Sequence, residues 1–116
     1  MSEETLYIVK KYFELSNAHN LDEVEALFTD TTVYISANTG SFTGKREIME
    51  MMREFFAGFQ KLHWDIQSGE ETNPDTVTFD FIVTGVKNDG ENVEKEGLES
   101  ITVIDGKIER VEIQNK

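Results

Sequence analysis

Apolar residues recur every three or four positions from Glu3 to Ser16. Leu6, Val9, Phe13 and Ser16 form one stripe, with Ile8, Tyr12 and Leu15 beside it. This spacing predicts a helix whose broad apolar face suits packing on a sheet better than a two-helix seam. Asn17 to Asn20 breaks the pattern. A short amphipathic helix is then predicted from Leu21, with Val24, Leu27 and Phe28 on one side and an end near Thr29-Asp30. Asn20 and Glu23 stand at capping-box spacing at its start. From Thr32 to Ala37 the period falls to two, with Val33, Ile35 and Ala37 alternating with Thr32, Tyr34 and Ser36, so a strand is predicted. A loop holding Gly40 and Gly44 leads to a third helix, capped by Thr43 or Gly44. Ile48, Met51, Met52, Phe55, Phe56 and Phe59 give it the strongest apolar face in the chain.

After Gly58 the period is two again. Leu62, Trp64 and Ile66 alternate with His63, Asp65 and Gln67, and a turn at Asn73-Pro74-Asp75 leads to a long strand from Val77 to Val86. Asn88-Asp89-Gly90 and Asp105-Gly106 are hairpin turn signals on either side of a strand from Leu98 to Ile104, and Lys107 to Gln114 closes the chain. Three helices, one inserted strand and a four-stranded meander predict an α+β fold. The helices lie on the concave face of a curved, mainly antiparallel sheet. The loop holding Gly40 and Gly44 then covers or lines the end of a pocket between the second helix and the sheet. Apolar residues on both faces near Trp64, Ile82 and Val86 predict a homodimer through the sheet.

Length and composition narrow the function classes. A chain of 116 residues fits one domain, residues 1–116, and 38% apolar with 29% charged residues is ordinary for a globular protein. The net charge of −12 argues against nucleic acid and anionic membrane surfaces as partners. The absence of cysteine excludes disulfide and thiolate chemistry, and a cytoplasmic location is the default. MSEETLYIVKKYFELS has neither the apolar run of a membrane span nor the pattern of a secretory leader. Two distant histidines make no metal-ligand pattern, and Gly40 and Gly44 are not spaced for cradling phosphate. Neither a metal nor a cofactor is expected.

Three pieces of sequence carry a resemblance. They are Tyr12 to Asp22 (YFELSNAHNLD) with Ala26 to Asp30, then Val33-Tyr34 with Gly44-Lys45-Arg46-Glu47-Ile48, and finally Ile104-Asp105-Gly106-Lys107-Ile108. Together with the order of elements they resemble the NTF2-like superfamily, in its SnoaL-like and ketosteroid isomerase-like branch. The resemblance implies a cystatin-like cone, a deep apolar pocket and frequent dimers. It fixes chemistry poorly, because the superfamily mixes isomerases, dehydratases, cyclases, hydrolases and non-catalytic members.

In the isomerase-like members a phenol and a protonated acid donate to a developing enolate oxygen. By resemblance, Tyr12 and Glu99 fall at those positions. Glu99 shares a strand face with Ile101 and Val103, so it can point inward, where desolvation favours its neutral form. Buried acids are rare without a use, so a place near the rim, or a pair with Lys95 or Lys107, is the expected placement. The family's carboxylate base aligns with Ser36, or with Ile35 if the register slips by one, and neither takes a proton from carbon. Tyr34, Phe55, Phe59, Phe81 and Ile101 are the expected ligand-lining residues. His63 and His19 are expected at the surface, and Asp80 on the face away from the cone. Two functions are carried forward: isomerase-, dehydratase- or cyclase-like chemistry on a small apolar molecule, and a non-catalytic ligand-binding or dimerisation module.

Overall fold

The first helix, α1 (Glu3–Asn17), buries Ile8, Val9, Tyr12, Phe13 and Leu15 along the stripe its periodicity predicts. The computed structural model describes residues 3–116, apart from the side chains at 71 and 72. After α1 come α2 (Leu21–Glu25), β1 (Phe28–Ser36), β2 (Gly40–Thr43), α3 (Lys45–Ala57), β3 (Phe59–Asn73), β4 (Thr76–Lys87), β5 (Asn92–Ile104) and β6 (Lys107–Asn115). The six strands form one sheet in the order β2-β1-β6-β5-β4-β3. Every neighbouring pair is antiparallel except β1 with β6, which is parallel. Ile48 and Met49 of α3, Val9 of α1 and Val24 of α2 reach the same core as Val77, Ile101, Ile108 and Val111 of the sheet. Among the described residues no helix is long and apolar enough to cross a membrane.

Several boundaries differ from the periodic reading, each for a local reason. Helix α2 stops at Glu25 rather than near Thr29-Asp30, because Phe28 already pairs with Ile108 at the start of β1. The Thr32 side chain, fully buried, holds the irregular stretch that follows. Its hydroxyl donates to the Ile108 carbonyl (2.6 Å) and accepts from the Thr29 amide (2.8 Å). Asn20 makes no side-chain cap to the α2 backbone; its amide donates to Glu23 Oε2 instead (2.6 Å). The glycine loop after β1 is a hairpin whose short strand β2 pairs Val33 with Thr43 and Ser36 with Gly40. At the β5–β6 turn Asp105 (φ 51°) and Gly106 (φ 76°) occupy the left-handed region that a tight hairpin with right-handed strand twist requires.

Strand β3 is a sheet edge, and the corner after α1 covers it. The Trp64 amide donates to Asn17 Oδ1 (2.8 Å) while Asn17 Nδ2 donates to the Trp64 carbonyl (3.0 Å), so one side chain replaces the missing neighbour strand at that residue. His19, at positive φ, places its ring edge-on to Phe56 and its Nε2 at 3.3 Å from the Leu62 carbonyl. Helix α1 is thereby tied to the edge of β3 as well as to the core.

The outer face of β3 to β6 is a polar ladder. Thr76 bonds Thr102 (2.7 Å), Thr78 bonds Ser100 (2.8 Å), and Asp80 accepts from Ser68 (3.1 Å) and Lys116 (2.8 Å). Ile82 and Val86 lie half-buried on this face, but Trp64 does not join them. It pairs with Val83 and points with it to the helical side. His63 is exposed on the outer face.

Candidate functional site

Between the helices and the concave sheet face lies a cavity of about 410 Å³. The alternation of the strands supplies its wall. Phe81, Val83, Leu62 and Trp64 point inward from β4 and β3, opposite Phe55 and Phe56 from the last turn of α3. The aromatic rings support one another. Phe56 stacks on Trp64 at a centroid distance of 5.5 Å, and Phe55 packs on Phe59 at 5.2 Å. Gly97, on β5 beside Phe81, makes the wall possible, because a Cβ there would lie 2.5 Å from the Phe81 ring and 2.7 Å from the Gln114 carbonyl.

Polar groups gather at the inner end. Tyr12 comes from α1, Tyr34 and Ser36 from β1, and Glu99 from β5; all four are buried and all line the cavity. Register brings the strands' contributions level, since Ser36 pairs with Ile113 and Ile113 with Glu99. Burial, with Glu99 nearby, holds both tyrosine pKa values above the ordinary phenol range. The Tyr12 and Tyr34 phenols also lie close enough to influence one another's ionisation.

Glu99 is 1% exposed, and burial pushes its pKa up to about 8. A carboxyl at that value is predominantly protonated at neutral pH and can donate a hydrogen bond. Its Oε2 has no partner. Neither Lys95 nor Lys107 reaches it: Lys107 donates to the Ala26 carbonyl, and Lys95 lies further along β5 at the exposed end. The rim placement is therefore corrected; Glu99 lies at the floor. Burying an unsatisfied carboxyl costs stability.

The remaining predicted residues fall as follows. Ser36 lines the cavity and Ile35 does not; the Ser36 hydroxyl accepts from the Asn38 amide (3.1 Å). Phe55, Phe59 and Phe81 line the wall. Ile101 does not. It is fully buried, paired with Val77 and Val111, and belongs to the core beneath the floor. Reading the sequence alone missed Phe13, Ser16 and Thr39, whose side of the fold is set by α1 and by the β1–β2 hairpin. The Glu99 carboxyl was signalled by the family resemblance and by its parity with Ile101 and Val103.

The model of the SnoaL-like domain matches residues 9–111 of the chain. No curated protein matches it. Among solved structures, an NTF2-like protein from Exiguobacterium sp. 255-15 is 20% identical with a TM-score of 0.84, covering 94% of this chain and 98% of its own. RV0760c of Mycobacterium tuberculosis, solved in complex with estradiol-17beta-hemisuccinate, is 16% identical with a TM-score of 0.87, covering 99% and 95%. An epoxide hydrolase of the LEH-like type from M. tuberculosis is 17% identical with a TM-score of 0.84, covering 97% and 83%. At these identities the likeness fixes the fold and leaves the chemistry to the side chains.

Proposed function

The chain belongs to the SnoaL-like domain family, with an NTF2-like fold, and on that premise we propose that its cavity takes a small, largely apolar molecule whose oxygen is polarised by Tyr12, Tyr34 and Glu99. The observation that carries this reading is the unpartnered Glu99 Oε2 at the floor of an otherwise apolar cavity. A ligand oxygen there accepts one hydrogen bond from a neutral acid and another from a phenol, in a largely apolar cavity. Donors so placed stabilise a developing oxyanion, and loss of one typically costs roughly 3–4 kcal/mol in the transition state. Isomerase-, dehydratase- or cyclase-like chemistry is compatible with that half of a site. Ligand-bound and hydrolytic proteins of the same fold, RV0760c with its steroid ester and the epoxide hydrolase, support a pocket of this type.

A second reading, binding without turnover, is favoured by one specific feature. Apart from Glu99, the cavity lining among the described residues includes no Asp, Glu or His. Ser36 stands at the base position, and a hydroxyl does not abstract a proton from carbon. In either reading a second copy pairs through the outer sheet face, where Ile82, Val86 and Leu98 lie half-buried among the polar ladders.

Two measurements test these readings. Titration with 2-naphthol is expected to shift its absorbance on binding, and Tyr12→Phe is expected to weaken binding about ten-fold, the worth of a hydrogen bond to a strongly polarised oxygen. Binding that ignores both Tyr12→Phe and Glu99→Gln would remove the polarising role. Ser36→Asp supplies the missing base. It is expected to produce slow isomerisation of a β,γ-unsaturated ketone, since a positioned general base contributes about 10²–10⁴-fold. A folded variant that binds the ketone and leaves it unchanged would rule out proton transfer at position 36.

A further inference from the structure

The outer end of the cavity has a sign opposite to the rest of the protein. Acids outnumber bases 23 to 11 along the chain. Yet the charged side chains lining the cavity are Lys87, Lys95 and the floor residue Glu99. No exposed carboxylate joins them among the described residues. Lys87 is held by Glu91 at 3.0 Å, which offsets much of its charge. Lys95 has no ion pair among the described residues.

Lys95 and Glu99 are four residues apart on β5, so they share the concave face and are separated by about 13 Å along the strand. Thr39 adds a second polar group at the outer end. It follows Ser36, which is level with Glu99, in the parallel direction that β6 takes from Ile113 to Asn115 beside Gly97. Thr39 lines the cavity, and its Oγ1 is buried without a partner. Thus both unpartnered buried side-chain oxygens found among the described residues, Thr39 Oγ1 and Glu99 Oε2, belong to residues that line this one cavity. The aromatic wall lies between the floor and the mouth.

We propose that the ligand is an elongated apolar acid, with a neutral oxygen at the Tyr12–Tyr34–Glu99 floor and its carboxylate at the mouth, met by Lys95 and Thr39. This rests on the pocket reading above and adds the ligand's charge and polarity. The net negative charge of the protein does not prevent it. At physiological salt a charge more than about 8 Å away is largely screened, and the flanking Glu94 and Glu96 alternate onto the opposite face of β5, so Lys95 sets the charge at the mouth. Lys95 gives an ion pair with the bound carboxylate, Thr39 gives a hydroxyl proton, and the wall gives the apolar contact.

The test uses 6-hydroxy-2-naphthoic acid and its methyl ester, with occupancy read from the fluorescence of Trp64, the chain's single tryptophan, which lines the cavity. Wild-type protein is expected to bind the acid about five-fold more tightly than the ester, the scale of one partly exposed ion pair. Lys95→Gln is expected to erase that preference while leaving ester affinity unchanged, and Lys95→Glu to invert it. Because Lys95 is exposed, neither variant disturbs the core. Equal binding of acid and ester by the wild type, or a preference that survives Lys95→Gln, would overturn the anionic end and leave the apolar pocket standing. Failure of the folded wild type to bind either probe would overturn both.

Discussion

Glu99→Gln is expected to raise stability at pH 8 while changing it little at pH 5. In the folded protein the Glu99 carboxyl has a pKa of about 8, against 4.5 for an unperturbed glutamate. The cause is burial: the charged form has lost water and found no cation or donor to replace it. Below pH 4.5 both folded and unfolded chains hold the proton, and the group favours neither. Between 4.5 and 8 the unfolded chain releases its proton while the folded chain retains it. The folded state then binds more protons, so stability falls as pH rises across this window and levels off above it. The separation of the two values corresponds to about 4–5 kcal/mol over the full window. Glutamine copies the shape of the neutral acid and cannot ionise, so the variant lacks this slope.

Urea denaturation of both proteins at pH 5, 6, 7 and 8 measures the effect. Other titrating groups move both curves equally and cancel in the difference. Curves that stay parallel from pH 5 to 8 would mean that the carboxyl is solvated or paired, and the floor of the cavity would lose its neutral donor.

How far the sequence disclosed this site depends on the element. Strand parity alone puts Phe79 and Phe81 on one face and Asp80 on the other, and the structure has them so. Parity in β5 is harder to read, because Glu94-Lys95-Glu96 looks like a solvated surface and hides the first half of the strand. Only the apolar Ile101 and Val103 mark the inner face, and Glu99 follows them two residues back. Its depth came from outside the strand, from α1 closing over the sheet. In β1 hydrophobicity points the wrong way. Thr32, Tyr34 and Ser36 are buried, whereas Val33 and Ile35 are half-exposed. The polar set can go inward because Thr32 bonds backbone at both ends of the irregular stretch and the tyrosine meets another phenol. The β2 strand, GSFT, is too short and too polar to register as a period at all.

Gly97→Ala links the fold to the cavity, and its expected cost is about 3 kcal/mol, at the upper end of what one methylene too many costs in a packed site. The added Cβ would lie 2.5 Å from the Phe81 ring and 2.7 Å from the Gln114 backbone carbonyl. The ring can move, and the cavity it lines is open to it. The carbonyl belongs to β6, which pairs with β5 at this level, and it cannot move without loosening that ladder. Two consequences are therefore expected together: a lower denaturation midpoint and weaker binding of any apolar probe, as Phe81 is pushed into ligand space. Phe81→Leu should restore part of the stability when combined with Gly97→Ala, because the smaller side chain relieves one of the two clashes. Since the backbone clash remains, restoration is incomplete. A double-mutant cycle measures the coupling. Additive losses, with no coupling between positions 97 and 81, would mean that the glycine serves the backbone pairing alone and that the aromatic wall does not depend on it.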